Sequence, residues 1–233
     1  RAQSMVEFVG ENNVVFVGPD VWKEQESIYF EPTAELEGFA EYVAERFELK
    51  VRIGRWTVPG RPLAILVDFT PLYAQKDEIY GLMWETAKVD SLHAYGDYDE
   101  SCMFAYGAAL VIEDYVKFAN KENKLSVYAH FDEWTTGMGL LYLKKHMPSI
   151  YTAFTTHATS IGRSICGNNK PLYDYMSGYN GDQMADELNM QSKHSLEKTA
   201  ALQADIFTTV SDVTAVECKQ LIGREPIVTP NGF

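Results

Sequence analysis

The chain has 233 residues, of which 46% are hydrophobic and 23% are charged. This composition is typical of a globular protein and excludes disordered and fibrous classes. The 33 acidic and 20 basic residues give a formal net charge of −13. Because such a surface repels phosphate backbones, we expect no nucleic-acid partner. No apolar run approaches the roughly 20 residues needed to cross a bilayer, so we expect no membrane partner.

The start of the chain and the cysteines bear on its cellular compartment. Residues 1–11 are polar and begin without a methionine, which predicts the absence of a signal peptide and suggests a fragment of a longer protein. Cys102, Cys166 and Cys218 are odd in number and have no CxxC spacing. This pattern favours free thiols over a disulfide framework or a zinc site, so we expect a cytoplasmic protein.

The first half of the chain shows an irregular series of elements. Apolar runs predict strands at residues 14–18, 51–56 and 63–69. Apolar residues at helical spacing predict a helix within residues 32–47. Residues 100–118 are apolar almost all round, which predicts a helix buried against a sheet.

The second half alternates more regularly between the two kinds of element. Strands are predicted at residues 125–130, 149–156, 205–210 and 226–229. Helices are predicted at residues 135–146, from about Thr159, and at residues 214–221, with Ser211 as the N-cap of the last. The polar stretch 167–186 has little periodicity and is predicted to be a long loop.

Strands that alternate with helices predict right-handed βαβ units, hence an α/β fold with a Rossmann-like parallel sheet covered by helices on both faces. No linker is evident, so a single domain over residues 1–233 is the simplest organisation. Ligands of such sheets bind beyond the carboxyl ends of the strands. The residues that follow Tyr128, Phe154 and Phe207 are therefore the first candidates for a site.

The densest polar cluster, His-Phe-Asp-Glu-Trp at residues 130–134, directly follows a predicted strand. Three titratable side chains at the edge of a sheet suit the positioning of a polar ligand. Histidine and carboxylates are also possible metal ligands. Alternatively, Asp132 and Glu133 only cap the next helix, whose dipole favours acids.

A second cluster is Thr-Thr-His-Ala-Thr at residues 155–159, followed by Arg163 early in a predicted helix. Backbone N–H groups at the start of that helix, together with a guanidinium, would seat a diphosphate. A neutral His157 could hydrogen-bond a sugar hydroxyl beside it. The alternative is a buried structural histidine and an arginine paired with a surface acid.

Other sequence features carry less chemistry. Residues 208–211 are interpreted as helix capping, and Glu197 and Glu217 as solvated or cap-related. The sequence has no GxxxxGK[ST] loop, GxGxxG, HExxH or GxSxG motif, which argues against an ATPase, a dehydrogenase, a zinc protease and an α/β-hydrolase.

Taken together, the clusters resemble a known family. The order and spacing of four segments are similar to those of the glycogen synthases of animals and fungi: residues 130–134 with Gly-Met-Gly at 137–139, Phe-Thr-Thr-His-Ala-Thr at 154–159 with Gly162 and Arg163, Phe-Thr-Thr-Val-Ser at 207–211, and Ile-Val-Thr-Pro-Asn-Gly at 227–232. Weaker similarities extend the resemblance over nearly the whole chain.

This resemblance implies the N-terminal Rossmann-like domain of a two-domain, B-type, retaining glycosyltransferase. Such an enzyme moves glucose from UDP-glucose to an α-1,4-glucan without a catalytic metal or another cofactor, and we expect the full-length protein to be a homo-oligomer. By resemblance, His157 would be catalytic and contact the donor glucose, and Arg163 would lie near the donor phosphates. The remaining expected substrate-binding residues are His130, Glu133, Asn231 and Gly232.

The sequence also departs from the family. Asp132 stands where the family usually has a second histidine. The first strand with its Gly-Gly-Ile-Tyr loop, and the C-terminal domain, lie outside the chain, so we expect it to be inactive alone. Two alternatives are a related glycosyltransferase that uses ADP-glucose or another acceptor, and a degenerate glucan-binding domain. The presence of both His157 and Arg163 favours an enzyme.

Overall fold

The computed structural model describes residues 2–23, 25–119 and 126–231. These residues divide into two compact units. Unit 1 contains residues 2–23, 25–74 and 107–119, and unit 2 contains residues 75–106 and 126–231. Parallel strand pairs and helices occur in both units, which confirms the predicted α/β class.

The described part of unit 1 contains a mixed sheet with strand order β1-β4-β3-β2. Strands β1 and β4 are parallel, whereas β3 is antiparallel to both β4 and β2. The sequence pattern did not distinguish this antiparallel half from the predicted parallel sheet. The elements are α1 (Ala2–Val9), β1 (Val15–Pro19), β2 (Phe30–Pro32), α2 (Phe39–Phe47), β3 (Lys50–Trp56) and β4 (Leu63–Asp68).

Helix α2 is shorter than the helical spacing predicts. Its N-cap is Gly38, with a φ of 80°, and Leu36 also has a positive φ of 59°. Because left-handed backbone cannot continue a right-handed helix, the helix begins only at Phe39. The buried side chains of Phe39 and Val43 then anchor it.

Unit 2 contains a parallel sheet, with order β5-β6-β7-β8 over the described residues. The alternation of strands and helices predicted for this half is confirmed. The elements are α3 (Lys76–Ala87), α4 (Tyr98–Ala119, which from residue 107 belongs to unit 1), β5 (Tyr128–Asp132), α5 (Gly137–His146), β6 (Tyr151–Thr156), α6 (Ser160–Gly167), α7 (Gly181–Glu187), α8 (Gln191–Gln203), β7 (Ile206–Thr209), α9 (Asp212–Leu221) and β8 (Ile227–Val228).

Two boundaries in unit 2 differ from the predictions. Strand β5 extends to Asp132, so His130 lies inside the strand and not after it, and Leu125 lies outside the described residues. The predicted loop 167–186 contains most of α7. This helix begins there because the side chain of its N-cap, Asn180, accepts a hydrogen bond from the N–H of Gln183.

Close packing in unit 2 explains a motif glycine. A Cβ on Gly139 in α5 would lie 2.4 Å from the carbonyl oxygen of Ala105. Only glycine therefore allows α5 to approach the first part of α4 at this point. In the described residues, no helix combines the length and the apolarity that crossing a bilayer requires.

Candidate functional site

Polar side chains of unit 2 meet at the carboxyl ends of three adjacent strands. Asp132 in β5 is in register with Thr155 in β6, and Thr155 is in register with Thr208 in β7. Strands that end in register bring the residues after them to one edge of the sheet. This is the edge at which the sequence predicted a site.

Glu133 directly follows β5 and connects the two predicted clusters. Its N–H donates to the carbonyl oxygen of Thr155 at 2.7 Å. Its carboxylate oxygen Oε1 accepts from the N–H of His157 at 3.2 Å and from the guanidinium Nη2 of Arg163 at 3.1 Å. The backbone of Glu133 has φ 69° and ψ 163°, a region that non-glycine residues rarely adopt. Strained backbone of this kind is concentrated at functional sites.

His157 lies in the turn between β6 and α6. Its Nε2 atom is 3.0 Å from Oδ1 of Asp132, and 29% of its side chain is exposed. The Asp132 carboxylate therefore fixes the orientation of the imidazole, as carboxylates do for functional histidines. The acid that departs from the family pattern thus contacts the predicted catalytic residue.

Arg163 lies in α6 with 57% of its side chain exposed, against 21% for its partner Glu133. The structure thus brings His157 and Arg163 to adjacent acids, Asp132 and Glu133, and leaves both side chains partly open to solvent. The alternative of a buried structural histidine is wrong, because His157 is partly exposed. The alternative of an arginine paired with a surface acid is confirmed only for the pairing, because the acid, Glu133, is 21% exposed and belongs to the same polar edge.

His130 extends the polar edge along the sheet. Its Nε2 is 2.7 Å from Oγ1 of Thr155, which is 2.6 Å from Oγ1 of Thr208. Because side chains two residues apart in a strand share a face, His130 and Asp132 lie on the same face of β5. A row of hydrogen-bonding groups therefore crosses β5, β6 and β7.

The start of α6 differs from the expectation that its N–H groups seat a diphosphate. The N–H of Thr159 donates to Oε1 of Glu217 at 2.8 Å, and that of Ser160 donates to Oε2 of Glu197 at 2.7 Å. The N-cap Thr159 accepts the N–H of Gly162 at 2.9 Å. These donors are already engaged by groups of the chain itself, so the expectation is wrong for them.

The two acids at this helix start are deeply buried. Glu197 in α8 is 0% exposed and Glu217 in α9 is 2% exposed, so they are not solvated residues. The other interpretation, a cap-related role, agrees with the N–H groups that they bind at the start of α6. Burial raises the pKa of Glu197 to about 7, although hydrogen bonds from Ser160 and Thr156 oppose the shift. Helical spacing could have revealed this burial, because residues three or four apart lie on the same face of a helix. Glu197 is three residues before Ala200 and Glu217 is four residues before Leu221, and Ala200 and Leu221 are both buried.

Asn231 and Gly232 complete the predicted set. Strand β8 is parallel to β7, and the N–H of Thr229 donates to the carbonyl oxygen of Thr209 at 2.7 Å. Asn231, which is exposed, follows this strand at the carboxyl edge of the sheet. Gly232 lies outside the described residues.

The neighbouring groups of the first cluster have different partners. His130 contacts Thr155, Asp132 contacts His157, and Glu133 contacts Arg163. Across the ranges that the structure covers, no set of three or more His, Cys, Asp or Glu side chains is placed to hold one metal ion. All three cysteines are free thiols, as the sequence predicts.

Comparisons with known proteins identify the family of the chain. The sequence profile of the family described as glycogen synthase matches residues 2–233. A glycogen (starch) synthase of Neurospora crassa is 33% identical over 181 residues, which are 77% of this chain and 25% of that protein. The human liver glycogen (starch) synthase is 33% identical over 187 residues, which are 79% of this chain and 26% of that protein.

A solved structure was also found, the catalytic domain of starch synthase IV from Arabidopsis thaliana bound to ADP and acarbose. It has a TM-score of 0.40 and 13% identity, and the match covers 95% of this chain and 52% of that one.

The structure defines an α/β protein whose unit 2 contains a parallel sheet with polar side chains at its carboxyl edge. The chain belongs to the glycogen synthase family. It spans about a quarter of the length of the curated relatives it matches.

Proposed function

We propose that the protein to which this chain belongs transfers glucose from UDP-glucose to an α-1,4-glucan with retention of configuration. One observation carries this proposal: in a chain of the glycogen synthase family, the side chains of His157 and Arg163 contact two consecutive acids, Asp132 and Glu133, at the carboxyl edge of a parallel sheet. The relatives' names support a glucan product.

The two side chains suit different parts of the reaction. Glucosyl transfer develops negative charge on the departing diphosphate, and an exposed guanidinium can offset that charge. Glu133 already accepts a hydrogen bond from Nη2 of Arg163, so a donor phosphate that binds the same nitrogen would compete with this carboxylate. His157 would orient the donor glucose and contribute mainly through positioning. His130, Glu133, Asn231 and Gly232 would support the donor site.

Further proposals concern the whole protein. The chain would form the N-terminal Rossmann-like domain of a B-type glycosyltransferase, and a C-terminal domain would supply further groups for the donor phosphates. The enzyme would use no metal or other cofactor, act in the cytoplasm and assemble as a homo-oligomer. The fraction of the relatives that the chain spans supports a larger protein.

Glucose incorporation into glycogen tests the proposal. The complete protein is incubated with glycogen and labelled UDP-glucose or, in parallel, labelled ADP-glucose. We expect incorporation chiefly from UDP-glucose. Incorporation chiefly from ADP-glucose would show that ADP-glucose, and not UDP-glucose, is the donor. Binding of glycogen without incorporation from either donor would instead support a degenerate glucan-binding domain.

A further inference from the structure

Two buried acids lie behind the candidate site and have no role in the proposed chemistry. Glu197 comes from α8 and Glu217 from α9, and they are 0% and 2% exposed. Glutamate is almost never fully buried unless its carboxylate has specific partners. The partners of these two acids therefore indicate why they are buried.

Both carboxylates bind the short segment that joins β6 to α6. Glu197 accepts from the hydroxyl of Thr156 at 2.8 Å and from the N–H of Ser160 at 2.7 Å. Glu217 accepts from the N–H of Thr159 at 2.8 Å and from its hydroxyl at 2.5 Å. Each acid therefore provides two acceptor contacts to a turn of five residues.

This segment carries the predicted catalytic residue and leads into the helix that carries Arg163. His157 lies between Thr156 and Thr159, and Glu133, which follows the adjacent strand β5, accepts a hydrogen bond from the N–H of His157. Three carboxylates from different elements thus hold one turn. Negative charge at the N-terminus of a helix is favourable, which offsets part of the cost of burying the acids.

Gly162 fits the same arrangement. A Cβ at this position would lie 2.3 Å from Oε1 of Glu217 and 2.8 Å from Oγ1 of Thr159. Because any side chain would displace the carboxylate, glycine directly before Arg163 permits the contact between Glu217 and the turn.

We propose that Glu197 and Glu217 are positioning residues, which hold the turn between β6 and α6 so that His157 and Arg163 keep their places at the edge of the sheet. They act on the turn and not on the substrate, because their carboxylates are buried and bind N–H and hydroxyl groups of the turn. By occupying the N–H groups of Thr159 and Ser160, they also leave the donor phosphates to side chains such as Arg163. This inference rests on the proposed function and specifies how its site is built.

The test uses Glu197→Leu and Glu217→Leu, which remove the acceptors, and Glu197→Gln and Glu217→Gln, which keep an acceptor oxygen. The matched control is Glu225→Leu, because Glu225 is 63% exposed and pairs with Lys219 on the surface. Glucosyl transfer from UDP-glucose is measured per folded molecule of the complete protein. Peptide-level hydrogen exchange is measured over residues 157–163 and over β5 and β7. If a Leu variant does not fold, the corresponding Asp variant is used instead. Its side chain is one methylene shorter, so the carboxylate no longer reaches the turn.

We expect the Leu variants to lower kcat/KM by about tenfold or more, as misplaced catalytic groups do. Exchange should rise at residues 157–163 and stay unchanged in β5 and β7, and the Gln variants should restore both readouts. Unchanged kcat/KM in an active protein, or a rise in exchange throughout unit 2, would overturn the inference. If the parent protein transfers no glucose, the proposed function fails. Exchange alone then decides the positioning role, and unchanged protection at residues 157–163 would refute it.

Discussion

Replacing Glu197 with glutamine should change how the stability of the protein depends on pH. Burial raises the pKa of this carboxyl from its ordinary value of 4.5 to about 7, and the negative charge of Glu133 adds to the shift. Below pH 4.5 the group is protonated in both the folded and the unfolded chain. As the pH rises toward 7, the unfolded chain loses this proton while the folded chain keeps it, so the folded state loses stability.

The size of the effect follows from the shift. Each pKa unit corresponds to about 1.4 kcal/mol, so a shift of roughly two to three units is worth about 3 kcal/mol above pH 7. Glutamine cannot ionise and lacks this penalty. Most of the difference accumulates between pH 5 and pH 8, where we expect the free energy of unfolding of Glu197→Gln to gain about 2 to 3 kcal/mol relative to the parent.

Urea unfolding of parent and variant at pH 5, 6, 7 and 8, followed by tryptophan fluorescence, measures this difference. Groups that titrate equally in both proteins cancel in the subtraction. Glu225→Gln, at an exposed site, should show a constant difference from the parent over the same range. A constant difference for Glu197→Gln as well would refute the conclusion that the buried carboxyl keeps its proton to near neutral pH.

Three further predictions concern the turn and α6. His157→Ala should lower the rate of glucosyl transfer by about tenfold or more, because the positioning of the donor is lost. The free energy of unfolding in urea should change by less than about 1 kcal/mol, because the contact with Asp132 is partly exposed. Equal turnover of variant and parent would remove His157 from the mechanism. Arg163→Ala should raise KM for UDP-glucose and change the free energy of unfolding by less than about 1 kcal/mol, since its ion pair is exposed. Steady-state kinetics at varied donor concentration checks this, and an unchanged KM would contradict it. Gly162→Ala should destabilise the protein by about 1 to 3 kcal/mol in urea unfolding through overpacking, whereas Gly167→Ala at the end of the same helix, where a Cβ meets nothing within 4 Å, should not; equal effects of the two substitutions would argue against the contact with Glu217.

The sequence alone determined the elements whose signals are local. The alternation in the second half predicted β5 to β8 and the helices α5, α6 and α9, and Ser211 is the N-cap of α9, as predicted. Most of α7, in contrast, lies in the stretch that was predicted to be a loop. The parallel order followed from that alternation, because strands joined by helices return in the same direction. It placed the residues after Phe154 and Phe207 at one edge, as the structure shows. After Tyr128 the strand continues to Asp132, so the residues that reach this edge from β5 begin four positions later than expected.

Only the tertiary structure decided which groups share hydrogen bonds at that edge. Glu217 reaches Thr159 across 58 positions of sequence, and Glu197 reaches Ser160 across 37. Local patterns contain no information about such partners, because they depend on how separate helices pack around one strand end. For the same reason the sequence suggested open N–H groups at α6, whereas the fold supplies buried carboxylates to them.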